Sequence, residues 1–128
     1  MYPYATTKKS LSLSWSDWHI YNWDTVHKVA PLKSGVYVLA VKMASGGWEK
    51  FYIGQAENLD KRLKDHLSDS EPNKCIKENL KYTCMFRYAV VESQSDRDKA
   101  ERALYKGFKP ECNDADRIPA VADVEINF

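Results

Sequence analysis

Five side chains could together hydrolyse a phosphodiester bond: Tyr37, Tyr52, Arg62, His66 and Glu101. Hydrolysis of this anionic ester needs a route to a nucleophile, cations that offset charge in the transition state, and support for the leaving oxygen. The planar fork of Arg62 matches two phosphate oxygens, and His66 lies one helical turn later. Glu101 offers the hard carboxylate oxygen that Mg²⁺ or Mn²⁺ prefers. The set therefore predicts metal-assisted phosphodiester chemistry.

The two tyrosines lie on segments with the character of strands. Gly35–Lys42 is a continuous apolar and β-branched run, and Trp48–Gly54 is a second run. The short connection between them contains Gly46 and Gly47, which predicts a β-hairpin.

Alternation along these strands predicts which way the phenols point. Tyr37 is expected to share a face with Leu39, and Tyr52 to share one with Lys50 and Trp48. We expect both phenols to reach one cleft.

Arg62 and His66 fall on a predicted helix that begins near Asn58, a residue favoured at a helix N-cap. An apolar stripe follows at four-residue spacing, and the two polar side chains flank it. The residues of the stripe are Leu59, Leu63 and Leu67.

Glu101 falls on a later helix, with an N-cap predicted at Ser95 and an end near Gly107. Between the two helices, a short helix is predicted around Pro72, and Cys84–Val91 is predicted to be a strand.

The flanks are predicted to add one helix and one strand. Ser14–Ala30 carries aromatic and apolar residues with helix-like spacing, and Ser14 and Asp17 resemble a helix cap. The alternation in Val124–Phe128 could add an edge strand. The fold class is therefore α/β (α+β): a three-stranded antiparallel sheet flanked by helices, with an extra N-terminal helix. We expect a helical extension packed on the core over residues 1–33, a catalytic domain over 34–114 and a tail over 115–128.

Composition restricts the class of protein. The 128 residues include 19 basic and 18 acidic ones, so bulk electrostatics alone would not hold this chain on nucleic acid. The three cysteines, Cys75, Cys84 and Cys112, are widely spaced and predict neither a disulfide framework nor a zinc site. No apolar run could cross a bilayer, and residues 1–10 lack the apolar core of a secretory signal. We expect a soluble, cytoplasmic protein with no membrane partner.

Several motifs occur in an order that resembles one nuclease family. Gly35-Val36-Tyr37 precedes the segment 52–66, which reads YIGQAENLDKRLKDH, and Glu101 precedes Asn113. This order is similar to that of the GIY-YIG family, with valine in place of isoleucine in the first tripeptide. The resemblance covers residues 34–114, and its elements in sequence are more specific than either tripeptide alone.

The resemblance implies a role for each residue. Tyr37 would lie near the attacking water, and Tyr52 would orient water or phosphate. Glu101 would bind the divalent metal, Mg²⁺ or Mn²⁺. Because a phenol has an ordinary pKa of about 10, a nearby cation would have to lower it, and the residues leave open whether Tyr37 or His66 takes the proton.

Three further residues are predicted to bind substrate: Gly54, Lys61 and Asn113, the last of which the resemblance implies to be structural or to contact substrate. Lys61 could instead be one of several lysines that only keep the helices soluble, and the charge count favours neither role. The implied substrate is DNA, and a homodimer could be needed to cut both strands. The connection between the two tyrosine motifs is longer than is usual in the family. No second DNA-recognition domain is evident, so we expect a small stand-alone GIY-YIG domain.

Other functions fit parts of the same pattern. The scaffold could be a catalytically silent module for nucleic-acid binding or assembly. It could instead be an interaction protein that uses Trp15, Trp18 and Trp23. Singly, Tyr37 and Tyr52 could be ordinary strand aromatics.

Overall fold

The computed structural model describes residues 9–128. Short strands occur at both ends of this region, and the longer elements lie between them. In chain order these are β1 (Lys9–Leu11), β2 (His19–Ile20), α1 (Trp23–Val29), β3 (Gly35–Lys42), β4 (Trp48–Ala56), α2 (Leu59–His66), α3 (Lys74–Asn79), β5 (Cys84–Val90), α4 (Gln94–Phe108), a 3-10 helix (Ala115–Arg117) and β6 (Val124–Ile126).

The main sheet is antiparallel and has the strand order β2-β5-β3-β4. It therefore contains four strands, where the sequence predicted three. The predicted hairpin is present as β3 and β4, which pair from Gly35 opposite Ala56 to Lys42 opposite Trp48. This places β4 at one edge of the sheet.

The additional strand comes from the segment predicted to be the first half of an N-terminal helix. Only Trp23–Val29 is helical, and Asn22 caps this helix in place of Ser14. The preceding residues are extended beside β5, where the backbone N–H of Ser16 donates to the carbonyl of Tyr88. This pairing satisfies backbone groups that β5 would otherwise leave open at an edge, which outweighs the helix-like spacing of the aromatic residues.

The central helices begin close to the predicted positions, and their caps explain why. The side chain of Asn58 accepts from the backbone N–H of Lys61 at 3.1 Å, which confirms the predicted cap of α2. For α4, Ser93 performs this function, two residues before the predicted Ser95.

Each face of the sheet has its own apolar core. Tyr37 and Leu39 of β3 point to the face covered by α2 and α3, where Leu63 and Ile76 are fully buried. Val36 and Val38 point to the opposite face, which α4 covers. The site residues on α2 and α4 therefore approach the sheet from its two sides.

The chain ends of the described region meet beside α4. β6 pairs with β1 in a separate two-stranded parallel sheet, so it does not extend the main sheet as an edge strand. Within residues 9–128, no helix has both the length and the apolar character needed to cross a membrane. Residues 1–8, which belong to the segment predicted to lack a secretory signal, lie outside the described residues.

Gly35 should be intolerant of a side chain because β3 lies very close to its neighbours there. A Cβ at this position would overlap the carbonyl oxygen of Ala89 and lie 2.8 Å from Cδ1 of Leu59. We expect Gly35→Ala to lower the free energy of unfolding by about 2 to 3 kcal/mol, measured by urea denaturation. Gly107→Ala is the matched control, because a Cβ there meets nothing within 4 Å and alanine favours the helix. Equal losses in the two variants would contradict this prediction.

Candidate active site

The structure brings four of the five predicted catalytic side chains to one end of the β3–β4 pair. The ring centroids of Tyr37 and Tyr52 are 6.2 Å apart, and those of Tyr52 and His66 are 5.2 Å apart. Arg62 lies close enough to both phenols to lower their pKa values. Glu101 reaches the same region from α4, where it lines a pocket with Tyr52.

A β-bulge places Tyr52 in this group. The register of β3 and β4 shifts between Leu39 and Ala40, so Tyr52 lies opposite Leu39 and packs on the same core as Tyr37. Lys50 points to the other face, where its Nζ lies 5.2 Å from the ring of Phe108. The predicted common face for Tyr52, Lys50 and Trp48 is therefore wrong, because simple alternation fails at a bulge.

Tyr37 is the innermost member of the site. Its side chain has no exposed surface, although the resemblance implied a position near the attacking water. Burial raises the pKa of Tyr37 well above its usual range, the phenol of Tyr52 adds to this rise, and Arg62 opposes it. A Cβ on Gly54 would lie 2.5 Å from the Tyr37 hydroxyl oxygen, so the glycine leaves room for the phenol. Gly54 thus shapes the site, and contact with substrate stays a prediction.

His66 links Tyr37 to a carboxylate that the sequence analysis missed. Nε2 of His66 lies 2.6 Å from the Tyr37 hydroxyl, and Nδ1 lies 3.2 Å from Oε1 of Glu71. All three side chains are buried. An ionised carboxylate only accepts, so Nδ1–H donates to Glu71, and in the neutral ring Nε2 accepts from the Tyr37 hydroxyl.

The charge of His66 is set by opposing influences. Burial lowers its pKa and the nearby Arg62 lowers it further, whereas the Glu71 carboxylate raises it. The net pKa is below the ordinary value, so His66 is neutral at pH 7 and can accept a proton at Nε2.

Arg62 has no ionic partner within the described chain. No carboxylate of residues 9–128 lies within 4.0 Å of its guanidinium, in contrast to Arg102, which pairs with Asp123 at 2.9 Å. Burial raises the pKa of Tyr52, and the Arg62 charge opposes this rise as well. A partly buried guanidinium without a counter-ion is suited to bind a phosphate through two oxygens.

Glu101 is also an uncompensated charge, of the opposite sign. Nε2 of Gln55 donates to Oε1 of Glu101 at 2.7 Å and to Oδ1 of Asp98 at 2.8 Å. No Lys, Arg or His of residues 9–128 forms a salt bridge with Glu101. Burial raises the pKa of Glu101, and the hydrogen bond from Gln55 partly opposes the rise. One oxygen is therefore held by Gln55 while the other is left for a ligand.

The free carboxylate oxygen of Glu101 fits a hard divalent cation. Such an ion prefers carboxylate oxygen and completes its coordination with water and substrate oxygens. Binding one would neutralise the carboxylate charge that burial makes unfavourable. Gln55, which the sequence analysis did not single out, would hold the ligand side chain in place.

Asn113 closes one side of the pocket by joining its loop to β4. Its Nδ2 donates to the carbonyl of Ile53 at 2.8 Å, and its Oδ1 accepts from the N–H of Ile53 at 2.9 Å. The adjacent N–H of Cys112 donates to the carbonyl of Phe51 at 2.9 Å. The pocket encloses about 340 Å³ and is lined by Tyr52, Pro72, Asn73, Glu101, Cys112, Asn113, Asp114, Arg117 and Ile118.

Lys61 lies outside this pocket on the exposed side of α2. Its side chain is 72% exposed and forms an ion pair with Asp65 at 3.0 Å. Contact between Lys61 and DNA stays a prediction.

Comparison with known proteins identifies the scaffold. Residues 33–113, more than half of the chain, match the family model of the GIY-YIG catalytic domain. The chain belongs to the GIY-YIG family. The predicted membership is thereby confirmed, and the phenols, Arg62 and Glu101 lie inside the matched region.

Curated relatives of this GIY-YIG domain are much longer proteins. UvrABC system protein C of Rickettsia rickettsii is 32% identical over 84 residues, which cover 66% of this chain and 12% of the relative. The protein of the same name from Rickettsia bellii is 30% identical over 83 residues, which cover 65% of this chain and 12% of the relative. The chain thus spans only 12% of the length of these relatives.

Solved structures share the GIY-YIG fold. One is the N-terminal endonuclease domain of UvrC from Thermotoga maritima bound to its catalytic divalent cation, magnesium. The TM-score is 0.55 at 23% identity, covering 71% of this chain and 98% of that domain. A point mutant of the same domain, also bound to its catalytic divalent cation, has a TM-score of 0.55 at 23% identity, with 71% and 97% covered.

A disulfide lies beside the pocket, which corrects the prediction made from cysteine spacing. Cys75 of α3 is bonded to Cys112, with Cα atoms 5.3 Å apart. The pairing joins residues 37 positions apart, so spacing could not reveal it. Cys84 is a buried free thiol, and burial raises its pKa to about 11.

Removing this disulfide should destabilise the GIY-YIG domain. The unfolded chain gains the entropy of a loop of 37 residues, so the Cys75→Ser, Cys112→Ser double variant should lose about 4 kcal/mol in free energy of unfolding. Urea denaturation without reductant measures the loss. The parent in dithiothreitol should then unfold at the same urea concentration as the double variant. A parent whose midpoint does not respond to reductant would contradict the prediction.

Proposed function

We propose that this GIY-YIG domain is a metal-dependent endonuclease that hydrolyses DNA phosphodiester bonds. One observation carries the proposal: Arg62 and Glu101 are opposite charges that lack ionic partners within residues 9–128, and two phenols lie between the elements that carry them. A phosphodiester and a divalent cation would satisfy both charges at once. The names of the relatives, an endonuclease domain among them, agree with this assignment.

In the proposed reaction, Arg62 binds the scissile phosphate through its guanidinium fork and stabilises the added charge of the transition state. Tyr52, the partly exposed phenol of the pair, orients water or phosphate at the pocket. Asn113 fixes the wall beside it, and Lys61 contacts the flanking DNA backbone. Glu101 would hold Mg²⁺ or Mn²⁺, which when bound supplies Lewis-acid stabilisation of phosphate and leaving-group oxygens.

Tyr37 takes the proton from the attacking water in this proposal. The Tyr37 side chain has no exposed surface, and Tyr52 and Arg62 lie beside it, so access to its hydroxyl requires the Arg62 side chain to move toward the phosphate that it binds. That movement would expose the Tyr37 oxygen only when substrate is bound, and it would prevent proton transfer from water to Tyr37 in the absence of DNA.

Cleavage of a supercoiled plasmid, with a parallel set of branched and plain duplex oligonucleotides, tests the function. Nicked or linear product should form with Mg²⁺ or Mn²⁺ and disappear with EDTA. Because one site cuts one strand per encounter, nicked circles should precede linear DNA. Linear product without that intermediate would instead indicate two copies acting together. Absence of cleavage with either ion on every substrate would refute the endonuclease assignment.

The complete burial of Tyr37 favours a second candidate, a module that binds nucleic acid or assembles with partners without cutting. The same oligonucleotides in a gel-shift assay separate the two functions. Binding of equal strength with and without divalent ion, together with no cleavage, would favour the silent module.

A further inference from the structure

We infer that Glu71 is a positioning residue for proton transfer from Tyr37 to His66, an inference that rests on the proposed endonuclease function. No motif marks Glu71, which follows α2 in the connection to α3. The residue is nevertheless only 6% exposed, and its Oε1 lies 3.2 Å from Nδ1 of His66. A buried glutamate of this kind is rare unless it is paired.

The contacts define the direction of the proton. Nδ1–H of His66 donates to Glu71, which leaves the lone pair of Nε2 facing the Tyr37 hydroxyl at 2.6 Å. The tautomer is therefore fixed by Glu71. With the opposite tautomer, Nε2–H would point at the phenol, and the phenol could not pass its proton to the imidazole.

The proposed step moves one proton from Tyr37 to His66 and creates one negative and one positive charge. The O–H bond of Tyr37 breaks and an N–H bond forms at Nε2, which gives a phenolate beside Arg62 and an imidazolium beside Glu71. The phenolate then takes one proton from the water whose oxygen attacks phosphorus. The leaving oxygen takes its proton from solvent, and the imidazolium later returns its proton to solvent.

Both charges formed in the transfer lie next to an opposite charge, which offsets part of the cost that burial imposes on the charged forms of Tyr37 and His66. Tyr21 also lies near Glu71, and its hydroxyl donates to the carbonyl of Leu63 in α2 at 2.6 Å. The titratable or charged groups around His66 and Glu71 are Arg62 and Asp65 from α2, Tyr37 from β3, Tyr52 from β4, and Tyr21 before α1. Among the groups that act on His66, Glu71 is the carboxylate in direct contact with the ring.

Glu71→Gln removes the charge and keeps a side-chain oxygen for Nδ1–H. Single-turnover plasmid cleavage with Mg²⁺ should be slower by about 10- to 100-fold, with the KM for DNA within about twofold of the parent. Since Glu71 raises the pKa of His66, its loss should also move the acid limb of the pH–rate profile to lower pH. Glu78→Gln, which removes an exposed carboxylate of α3, should leave the rate and profile unchanged.

A role in packing alone would change stability without moving the acid limb, so an unshifted profile in Glu71→Gln would overturn the inference. If the parent cuts DNA and Glu71→Gln cuts it at the same rate, the inference is overturned too, while the endonuclease function stands.

Nitrogen-15 NMR of the metal-free protein tests the inference independently of cleavage. The chain has three histidines, so spectra of His19→Gln and His27→Gln identify the signals of His66. At pH 7.5, His66 should be neutral with its proton on Nδ1, and its pKa should be lower in Glu71→Gln. A parent protein with the proton on Nε2 would overturn the inference, even if the protein cut no DNA and even if the variant failed to fold.

Discussion

Glu101→Ala should lower the rate of Mg²⁺-dependent plasmid cleavage by at least about 10³-fold, because it removes the side chain that would hold the ion. The effect should appear in kcat, since the ion acts most strongly on charge that develops in the transition state. Asp96→Asn is the matched control, because this carboxylate lies in the first turn of the same helix and does not line the pocket. Cleavage by Glu101→Ala at the parental rate would remove the metal assignment.

Glu101 should also affect the stability of the fold, and the isosteric Glu101→Gln variant tests this effect. Burial raises the pKa of Glu101, so the folded state holds this proton more tightly than the unfolded state does. As pH rises from the pKa of Glu101 in the unfolded state to its pKa in the folded state, ionisation of this carboxyl lowers the free energy of unfolding. The loss of stability remains at pH 7. In metal-free buffer, the Tm of Glu101→Gln should equal or exceed that of the parent. Mg²⁺ should raise the Tm of the parent alone.

Arg62→Lys should lower the single-turnover rate by about 10²-fold, although lysine keeps the positive charge. The ammonium group cannot present two parallel N–H donors to phosphate. Arg62→Ala should lose a further factor of about 10, because the loss of charge also raises the pKa of Tyr37 and Tyr52. Cleavage rates at saturating Mg²⁺ measure both effects.

Arg102→Lys provides the comparison for Arg62→Lys, since its guanidinium pairs with Asp123 near the C-terminal tail. That exchange should leave the rate within about twofold of the parent. Similar rates for Arg62→Lys and the parent would show that Arg62 acts as a simple charge or lies outside the reaction.

The strands and helices that carry the site were predictable because local chemistry specifies them. The β-branched run of Gly35–Lys42 forms β3 within the predicted bounds, and Asn58 caps α2 as expected. Ser14–Ala30 was mispredicted because its spacing suits an isolated helix, whereas the open edge of β5 offers backbone hydrogen bonds that exist only in the folded protein.

The missed parts of the site depend on contacts between distant residues. Glu71 lies on a connection whose apolar residues show no periodic pattern. Its burial against His66 results from the packing of α2 against the sheet. The β-bulge that turns Tyr52 toward Tyr37 has no signature in an apolar strand sequence. Similarly, the pairing of Cys75 with Cys112 requires the loop before the C-terminal tail to return to α3.

The loop that carries Asn113 limits how two molecules could associate. Strand addition between copies requires free N–H and C=O groups along an edge, and β4 is an edge of the main sheet. Over residues 51–53 those groups are already engaged by Cys112 and Asn113 of the same molecule. A pair of subunits cutting opposite strands in concert would have to associate through a different surface, with the two clefts left open to the duplex.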